Sequence, residues 1–429
     1  MSTKALHSRH ARTLGLAPSF GFGDRLGTAT SGHILSLRAA GGSIEGIFAQ
    51  QSIREMTRTQ RSPDDVMSAA ARAVGANGFS DVWGADADHI KTPDDARATA
   101  AAGFVFFTID PSEHVDRQAD DYDLPTLETK LPDVRAQVDW LETYLNRTVK
   151  VPEGPTIQFD RPTVLRAAVK YGPAIAHAIT TGNAIAEATR AKQQSYEIEI
   201  SVDETDQPTS LAEHYIIAEQ LRRHGLPVVS LAPRFIGDFE KGVDYKGTVS
   251  AFAKSVAEHA AIARHLGPYK LSLHSGSDKL SIYPDFAKAT RGLFHVKTAG
   301  TSYMEALRVV ARCAPAEFRE LCDFARQFYD RDKATYHVSA TLANVPAPAD
   351  VSSNEKLVDL YLDAWPITPA GHGFTAVGRQ ILHCTFGSVL TDAKFGPLVR
   401  QIVTENQSVY DEVLHDHFTR HLRALNAGM

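Results

Sequence analysis

Apolar and polar positions alternate with a period of two in eight short stretches of the chain. In most gaps between them the period lengthens to that of a helix. The strand-like stretches are 19-SFGFGD-24, 45-EGIFAQ-50, 79-FSDVWGAD-86, 104-FVFFTID-110, 196-YEIEISVD-203, 227-PVVSLAPRF-235, 269-YKLSLHS-275 and 292-GLFHVKTAG-300. Helical patterns include 64-DDVMSAAARAVGA-76, 209-TSLAEHYIIAEQLRRHG-225 and 249-VSAFAKSVAEHAAIARHLG-267. The last two end in glycine, the usual residue just past a helix end. Eight strands with intervening helices predict an α/β fold, a (β/α)8 TIM-like barrel. The alternative is an open doubly wound sheet, but no GxGxxG follows an early strand. No repeat of solenoid length is present.

Two stretches break the rhythm. Residues 111–195 form a long insertion after the fourth strand, opening on the acidic 116-DRQADDYDLP-125. Residues 315–429 read as mostly helical, with a loop at 345-VPAPADVSSN-354. The expected organisation is a catalytic barrel over 1–314, insertion included, and a helical C-terminal extension over 315–429 packed on it. Both added parts suit a cover for the barrel mouth or a subunit contact, so a homo-oligomer is compatible with the chain.

Alternation also sorts the strand side chains into two faces. Tyr196, Ile198, Ile200 and Val202 share an apolar face, leaving Glu197, Glu199, Ser201 and Asp203 on the other. Lys270, Ser272 and His274 oppose Leu271 and Leu273, and His295 and Lys297 oppose Phe294 and Val296. Thr108 pairs with Asp110 in this sense, and Ser230 with Arg234. Five strands therefore point polar groups into the barrel, whose interior is ordinarily filled by branched apolar side chains. Buried charges must be paired or bound to a metal. Asp24, Asp110, Asp203, Glu204, Arg234, His274 and Lys297 fall at the carboxyl ends of strands, where barrel active sites lie. Asp110 and His274 make a metal-ligand pair. The loop Ser275-Gly276-Ser277-Asp278 offers hydroxyls and N–H groups for an anion or sugar oxygens, as does 298-TAGTSY-303 at a helix start, with Thr298, Gly300 and Thr301.

Composition narrows the function classes. The chain has 429 residues and a net charge of −6, without a basic block suited to nucleic acid. No apolar run is long enough for a bilayer, and the N-terminus lacks the apolar core of a signal peptide. Cys313, Cys322 and Cys384 are sparse and outside any CxxC, as expected of a reduced cytoplasmic protein.

Several segments together resemble the tagaturonate/fructuronate epimerases, metal-dependent enzymes of hexuronate catabolism. They are 19-SFGFGDRLG-27, 196-YEIEISVDETDQPTSLAEHYIIA-218, 230-SLAPRFIGDFEKGVDY-245, 271-LSLHSGSDKLSIYP-284, 295-HVKTAGTSYMEALR-308 and 379-RQILHCTFGSVLT-391. More loosely, 274-HSGSD-278 resembles the histidine-glycine-serine turn of class II sugar aldolases, whose histidine binds zinc. The resemblance implies interconversion of D-tagaturonate and D-fructuronate, or of the related ketohexoses. The two acids differ at a hydroxyl-bearing carbon β to the ketone, which a retro-aldol and aldol sequence inverts. That route needs a divalent metal (zinc, manganese, nickel or cobalt), an acid/base group and a clamp for the carboxylate. Asp110 and His274 are expected as metal ligands with His337 as the third, His295 and Asp244 being alternatives. Asp203, Glu204 and Lys297 are the acid/base candidates, and Arg234 the carboxylate clamp. Structural roles compete: Glu204 near a helix start, Arg234 paired with Asp238 or Asp244, Lys297 neutralising Glu199. A metal-dependent aldolase or isomerase of another sugar, and a non-catalytic sugar-binding barrel, are the alternative functions.

Overall fold

In the computed structural model, which describes residues 10–429, eight parallel strands close into a barrel. In chain order they are β1 (Ser19–Gly23), β2 (Glu45–Ser52), β3 (Trp83–Ile90), β4 (Phe106–Ile109), β7 (Glu197–Val202), β8 (Val228–Pro233), β9 (Lys270–Leu273) and β10 (Phe294–Thr298). A separate antiparallel hairpin, β5 (Arg147–Lys150) and β6 (Thr156–Phe159), lies in the long insertion. The insertion also holds the helix Arg161–Arg190, which packs beside β4 and between two barrel helices. It thus contains the helix of the fourth βα unit, with extra structure before it.

Local chemistry sets the helix starts. Ser52, Ser62, Thr92 and Ser210 each accept a hydrogen bond from the backbone N–H three residues on, and the carboxylate there accepts one from the cap residue's own N–H. Such reciprocal caps satisfy donors that a helix end otherwise leaves open. The outward face of the strands is apolar as the alternation requires: Phe20, Phe22, Ile198, Leu271, Phe294 and Val296 are fully buried under the helices. Each contributes about 1.5–3 kcal/mol by leaving water.

β3 differs from the expected stretch. It starts at Trp83 rather than Phe79 and runs four residues further, to Ile90. Phe79 instead closes the preceding helix, donating its N–H to the Val74 carbonyl and packing edge-on to Phe48. Ser80, Asp81 and Val82 are exposed, so the regular burial begins only at Trp83.

The C-terminal region shares the barrel's hydrophobic core. Helix Gln407–Asn426 lies against helix Thr30–Ala40, and the Phe418 ring meets Phe22 with centroids 5.0 Å apart. A buried polar cluster joins this helix to the loop after β9. Asp278 takes a left-handed φ of 63° and places its carboxylate 2.9 Å from both Arg379 and His417. Its N–H donates to His421, whose other ring nitrogen meets the His417 carbonyl at 3.0 Å. Cys322 and Cys384 are buried thiols, Cys313 is exposed, and none is in a disulfide. Among the described residues no helix is long and apolar enough to cross a membrane.

Burial raises the Asp278 carboxyl, but Arg379 and His417 outweigh it and hold it far below the usual carboxylate range. A depressed pKa stabilises the fold above the unfolded pKa near 4 and loses that contribution as pH falls. Asp278→Asn, which leaves Arg379 without its counter-charge, is expected to cost about 3–5 kcal/mol at pH 7. In urea unfolding the gap between wild type and variant narrows below about pH 4. A gap that is constant from pH 7 to pH 3 would contradict the ion-pair role.

Candidate active site

The barrel interior is layered by charge. At the bottom, Lys270 donates to the Ser19 hydroxyl at 3.0 Å, and His295 meets the same hydroxyl at 3.0 Å. Burial pushes the His295 imidazole down to about 3, so this ring is neutral. Above it, the Lys297 ammonium lies 2.8 Å from Asp86, Asp88 and Glu199 alike. Burial lowers the Lys297 pKa, but the three carboxylates outweigh it and hold the ammonium well above its ordinary range. Lys297 is thus a fixed positive charge.

The third layer opens to solvent at the carboxyl ends of the strands. His274 Nε2 is 2.5 Å from Glu199, and its Nδ1 is 3.3 Å from Asp203. His89 stands beside it, with ring centroids 5.2 Å apart, and places Nδ1 3.3 Å from Asp110. One ligand atom each of Asp88, His89 and His274 lies within 4.8 Å of the others, and the same holds for His89, Asp110 and Glu204. His89 is common to both groups. Simple alternation would turn His89 away from the side Asp88 faces. The β3–β4 register breaks between Ala87 and Ile90, and His89 adopts a φ of 50°. That irregularity turns consecutive side chains into one mouth, at a backbone cost of about 1–2 kcal/mol for a non-glycine residue.

Acids outnumber cations at the site. Asp86, Asp88 and Glu199 share the Lys297 ammonium, while Asp110, Asp203 and Glu204 stand above them with Lys241 nearby and Lys91 and Arg54 at the rim, 3.7 Å from Asp110 and 3.8 Å from Glu204. Burial lowers the His89 pKa, but Asp88 and Asp110 outweigh it and push it up to about 10. For His274, burial and Lys297 lower the pKa, and Asp203 with Glu199 raises it beyond that. Each histidine is drawn toward the charged form by the acids around it. Nδ1 of each histidine has only a carboxylate oxygen at 3.3 Å, and Oε2 of Glu199 is buried without a hydrogen-bond partner. Imidazoles and carboxylates crowded together in this way fit a divalent cation, which would take the place of the imidazole protons. Beside them opens a cavity of ≈ 840 Å³, lined among others by His89, Asp203, Glu204, Arg234, Lys241 and His274.

A family model described as UxaE, tagaturonate epimerase, matches residues 4–425. The chain belongs to the tagaturonate epimerase family. It is 40% identical over 411 residues to the tagaturonate/fructuronate epimerase of Thermotoga maritima, covering 96% of this chain and 81% of that one. It also resembles the fructuronate-tagaturonate epimerase UxaE of Cohnella laeviribosi. A glycerol-complexed crystal structure of that enzyme superposes with a TM-score of 0.89 at 34% identity, over 98% of this chain and 84% of the other. The native crystal structure gives 0.88 at 35%, over 98% and 83%.

In this tagaturonate epimerase fold the residues singled out from sequence separate into those at the mouth and those away from it. Asp110, Asp203, Glu204 and His274 meet there, around His89. His337 does not join them: its imidazole is 64% exposed on the cavity rim and pairs with Asp238 at 3.3 Å. Neither alternative joins them either. His295 sits at the barrel bottom, and Asp244 accepts from the Ser281 hydroxyl and the Gly373 N–H, at 2.9 and 2.8 Å. Asp88 and His89, absent from the expected set, are the residues grouped with His274 at the mouth. The true strand 83-WGADADHI-90 carries the signal for Asp88, because Trp83, Ala85 and Ala87 alternate with Gly84, Asp86 and Asp88. Nothing in the periodicity points to His89.

Among the expected substrate contacts, Ser275, Ser277 and Gly300 line a recess next to the cavity. Asp278 does not reach it, being buried under helix Gln407–Asn426 by Arg379 and His417. Thr298 gives its hydroxyl to the Gly21 carbonyl at 2.7 Å, and Thr301 gives its own to Ser277 at 2.9 Å. Arg234 lines the outer cavity with its guanidinium 5.8 Å from the Phe239 ring, paired with neither Asp238 nor Asp244.

Lys297→Met leaves three buried carboxylates without their counter-charge and is expected to lower stability by about 3–5 kcal/mol in urea unfolding. Unchanged stability would mean that Lys297 does not hold the carboxylates together.

Proposed function

We propose that this chain is a divalent-metal-dependent epimerase that interconverts D-tagaturonate and D-fructuronate by breaking and remaking a carbon–carbon bond. The observation that carries the metal is the convergence of Asp88, His89 and His274 at the mouth, with one ligand atom of each within 4.8 Å of the others. Asp110, grouped with the same His89, is the further ligand candidate. Family membership supports the substrates, since the Thermotoga maritima and Cohnella laeviribosi relatives are named for both. When bound, the cation polarises the ketone and offsets the charge that develops on its oxygen.

The chain's own residues divide the remaining work. Asp203 stands 3.3 Å from His274 and accepts from the Ser201 hydroxyl at 2.6 Å. Burial raises its pKa, but His274 and His89 outweigh it and hold the carboxyl well below the usual range, which makes Asp203 a poor base. Its role is to orient His274. Glu204 lines the open cavity, and among the described residues its ion-pair partner is Arg54 at 3.8 Å. Glu204 takes the proton of the β-hydroxyl. The O–H electron pair becomes the aldehyde carbonyl, and the pair of the broken carbon–carbon bond moves toward the ketone. The aldehyde turns over, the bond re-forms on its other face, and Glu204 returns the proton. Lys297 keeps Asp88 and Glu199 ionised and in place, rather than moving a proton.

His89→Ala and His274→Ala are each expected to abolish epimerisation and to weaken metal binding at least ~10–100-fold, read by equilibrium dialysis with elemental analysis. Full metal content with normal turnover in either variant would remove it from the ligand set. Bond cleavage also predicts an isotope pattern. In heavy-oxygen water the hydroxyl at the inverted carbon stays unlabelled, and in deuterium oxide the hydrogen on that carbon is retained. Rapid entry of solvent oxygen there would instead indicate dehydration.

A further inference from the structure

Next to the proposed metal ligands the cavity narrows into a recess lined by Arg25, Arg54, Lys241 and Lys279. These cations differ in what already satisfies them. Arg25 is closed by Glu55, with donor distances of 2.9 and 2.7 Å. Lys279 spends its protons on the carbonyls of Glu240, Val243 and Ser277. Glu240, the acid beside them, is taken by Lys246 at 2.7 Å and Gln380 at 2.6 Å. Lys241 alone has neither a carboxylate at ion-pair distance nor a carbonyl partner among the described residues. Its one polar contact is the Ser275 hydroxyl at 2.8 Å. Arg54 is nearly as free, 3.8 Å from Glu204 and 5.8 Å from the Tyr336 ring.

An ammonium has three donors, and two of those on Lys241 remain unused. Withdrawing such a charge from water without a counter-ion is costly, and burial indeed lowers the Lys241 pKa. An arriving anion removes that cost. We propose that Lys241, assisted by Arg54, is the subsite that receives the substrate's carboxylate and selects a sugar acid over the neutral ketohexose. This rests on the proposed function for the position of the ketone.

The dimensions agree. In these six-carbon acids the ketone and the carboxyl carbon are four bonds apart, about 5 Å when extended, with the inverted carbon midway between them. Lys241 is tied to Ser275, the residue directly after His274, so it stands beside the place where the ketone would be held. Arg54, His89, Lys241 and His274 all line both the recess and the larger cavity, so one ligand reaches both ends. A carboxylate anchored here also keeps the acid-bearing fragment in the site while its aldehyde turns over. The other candidate cation, Arg234, lines only the outer cavity and not the recess beside His274, and its guanidinium lies 5.8 Å from the Phe239 ring.

The test is calorimetric binding of D-tagaturonate and of D-tagatose, its neutral counterpart, to metal-loaded wild type, Lys241→Gln, Lys241→Arg and Arg234→Gln. Lys241→Gln is expected to weaken the acid at least ~10-fold and the neutral sugar by less than ~2-fold, with most of the loss restored in Lys241→Arg. Equal losses for both sugars, unchanged binding of the acid, or a selective loss confined to Arg234→Gln would each overturn the assignment. Metal content is measured on the same samples. A wild type that holds no metal yet still prefers the acid through Lys241 would end the metal reading and leave this subsite standing.

Discussion

One ammonium, that of Lys297, organises the inside of the barrel. It sits at 2.8 Å from three carboxylates contributed by β3 and β7, strands that do not adjoin its own, β10. Carboxylates at this depth would repel one another or take up protons without it. With it, Asp88 and Glu199 stay ionised, and each passes its charge upward: Glu199 to His274, Asp88 to His89. The barrel core is therefore a foundation of charge rather than the usual apolar filling. Lys297 neutralises one of these negative charges, and the remainder is available at the mouth for a divalent cation.

On the proposed reading, the metal and acid/base groups come from strand ends while the carboxylate subsite comes from the segments that follow strands. A metal site needs ligands fixed to a fraction of an ångström, and strand ends braced by buried ion pairs supply that. Recognition of one end of a sugar acid needs an unpaired cation at a suitable distance, and Lys241 and Arg54 stand in segments that follow strands rather than within them. The C-terminal region takes part in the bracing. Asp278, three residues beyond the serine that holds Lys241 and one beyond Ser277, is pinned from outside by Arg379 and His417, so the loop after His274 is held on both sides.

Much of this was legible in the sequence, and the reasons divide cleanly. All eight barrel strands, the insertion after β4 and the inward polar faces followed from alternation, because a closed parallel barrel imposes the same period on every strand. His274 and Asp203 were legible for the same reason. β3 was set four residues early because Phe79 looks like a strand residue but ends a helix, and this hid Asp88. His89 was beyond periodicity altogether: its orientation depends on a left-handed residue at a register break, which is decided by tertiary contacts. His337 failed as a third ligand because closeness in depth along a chain says nothing about lateral position around a barrel. Asp278 failed as a substrate contact because its partners, Arg379 and His417, lie more than a hundred residues away in the chain.

The central claim is that Asp88, His89 and His274 hold a divalent cation above the Lys297 cluster. Crystals grown with manganese or zinc, measured on both sides of the metal's absorption edge, locate the ion directly. An anomalous peak within ligand distance of Asp88 and of both histidines, at about 2.0–2.2 Å for zinc, is the expected result. A peak elsewhere, or none at the mouth in crystals of active enzyme, would contradict it.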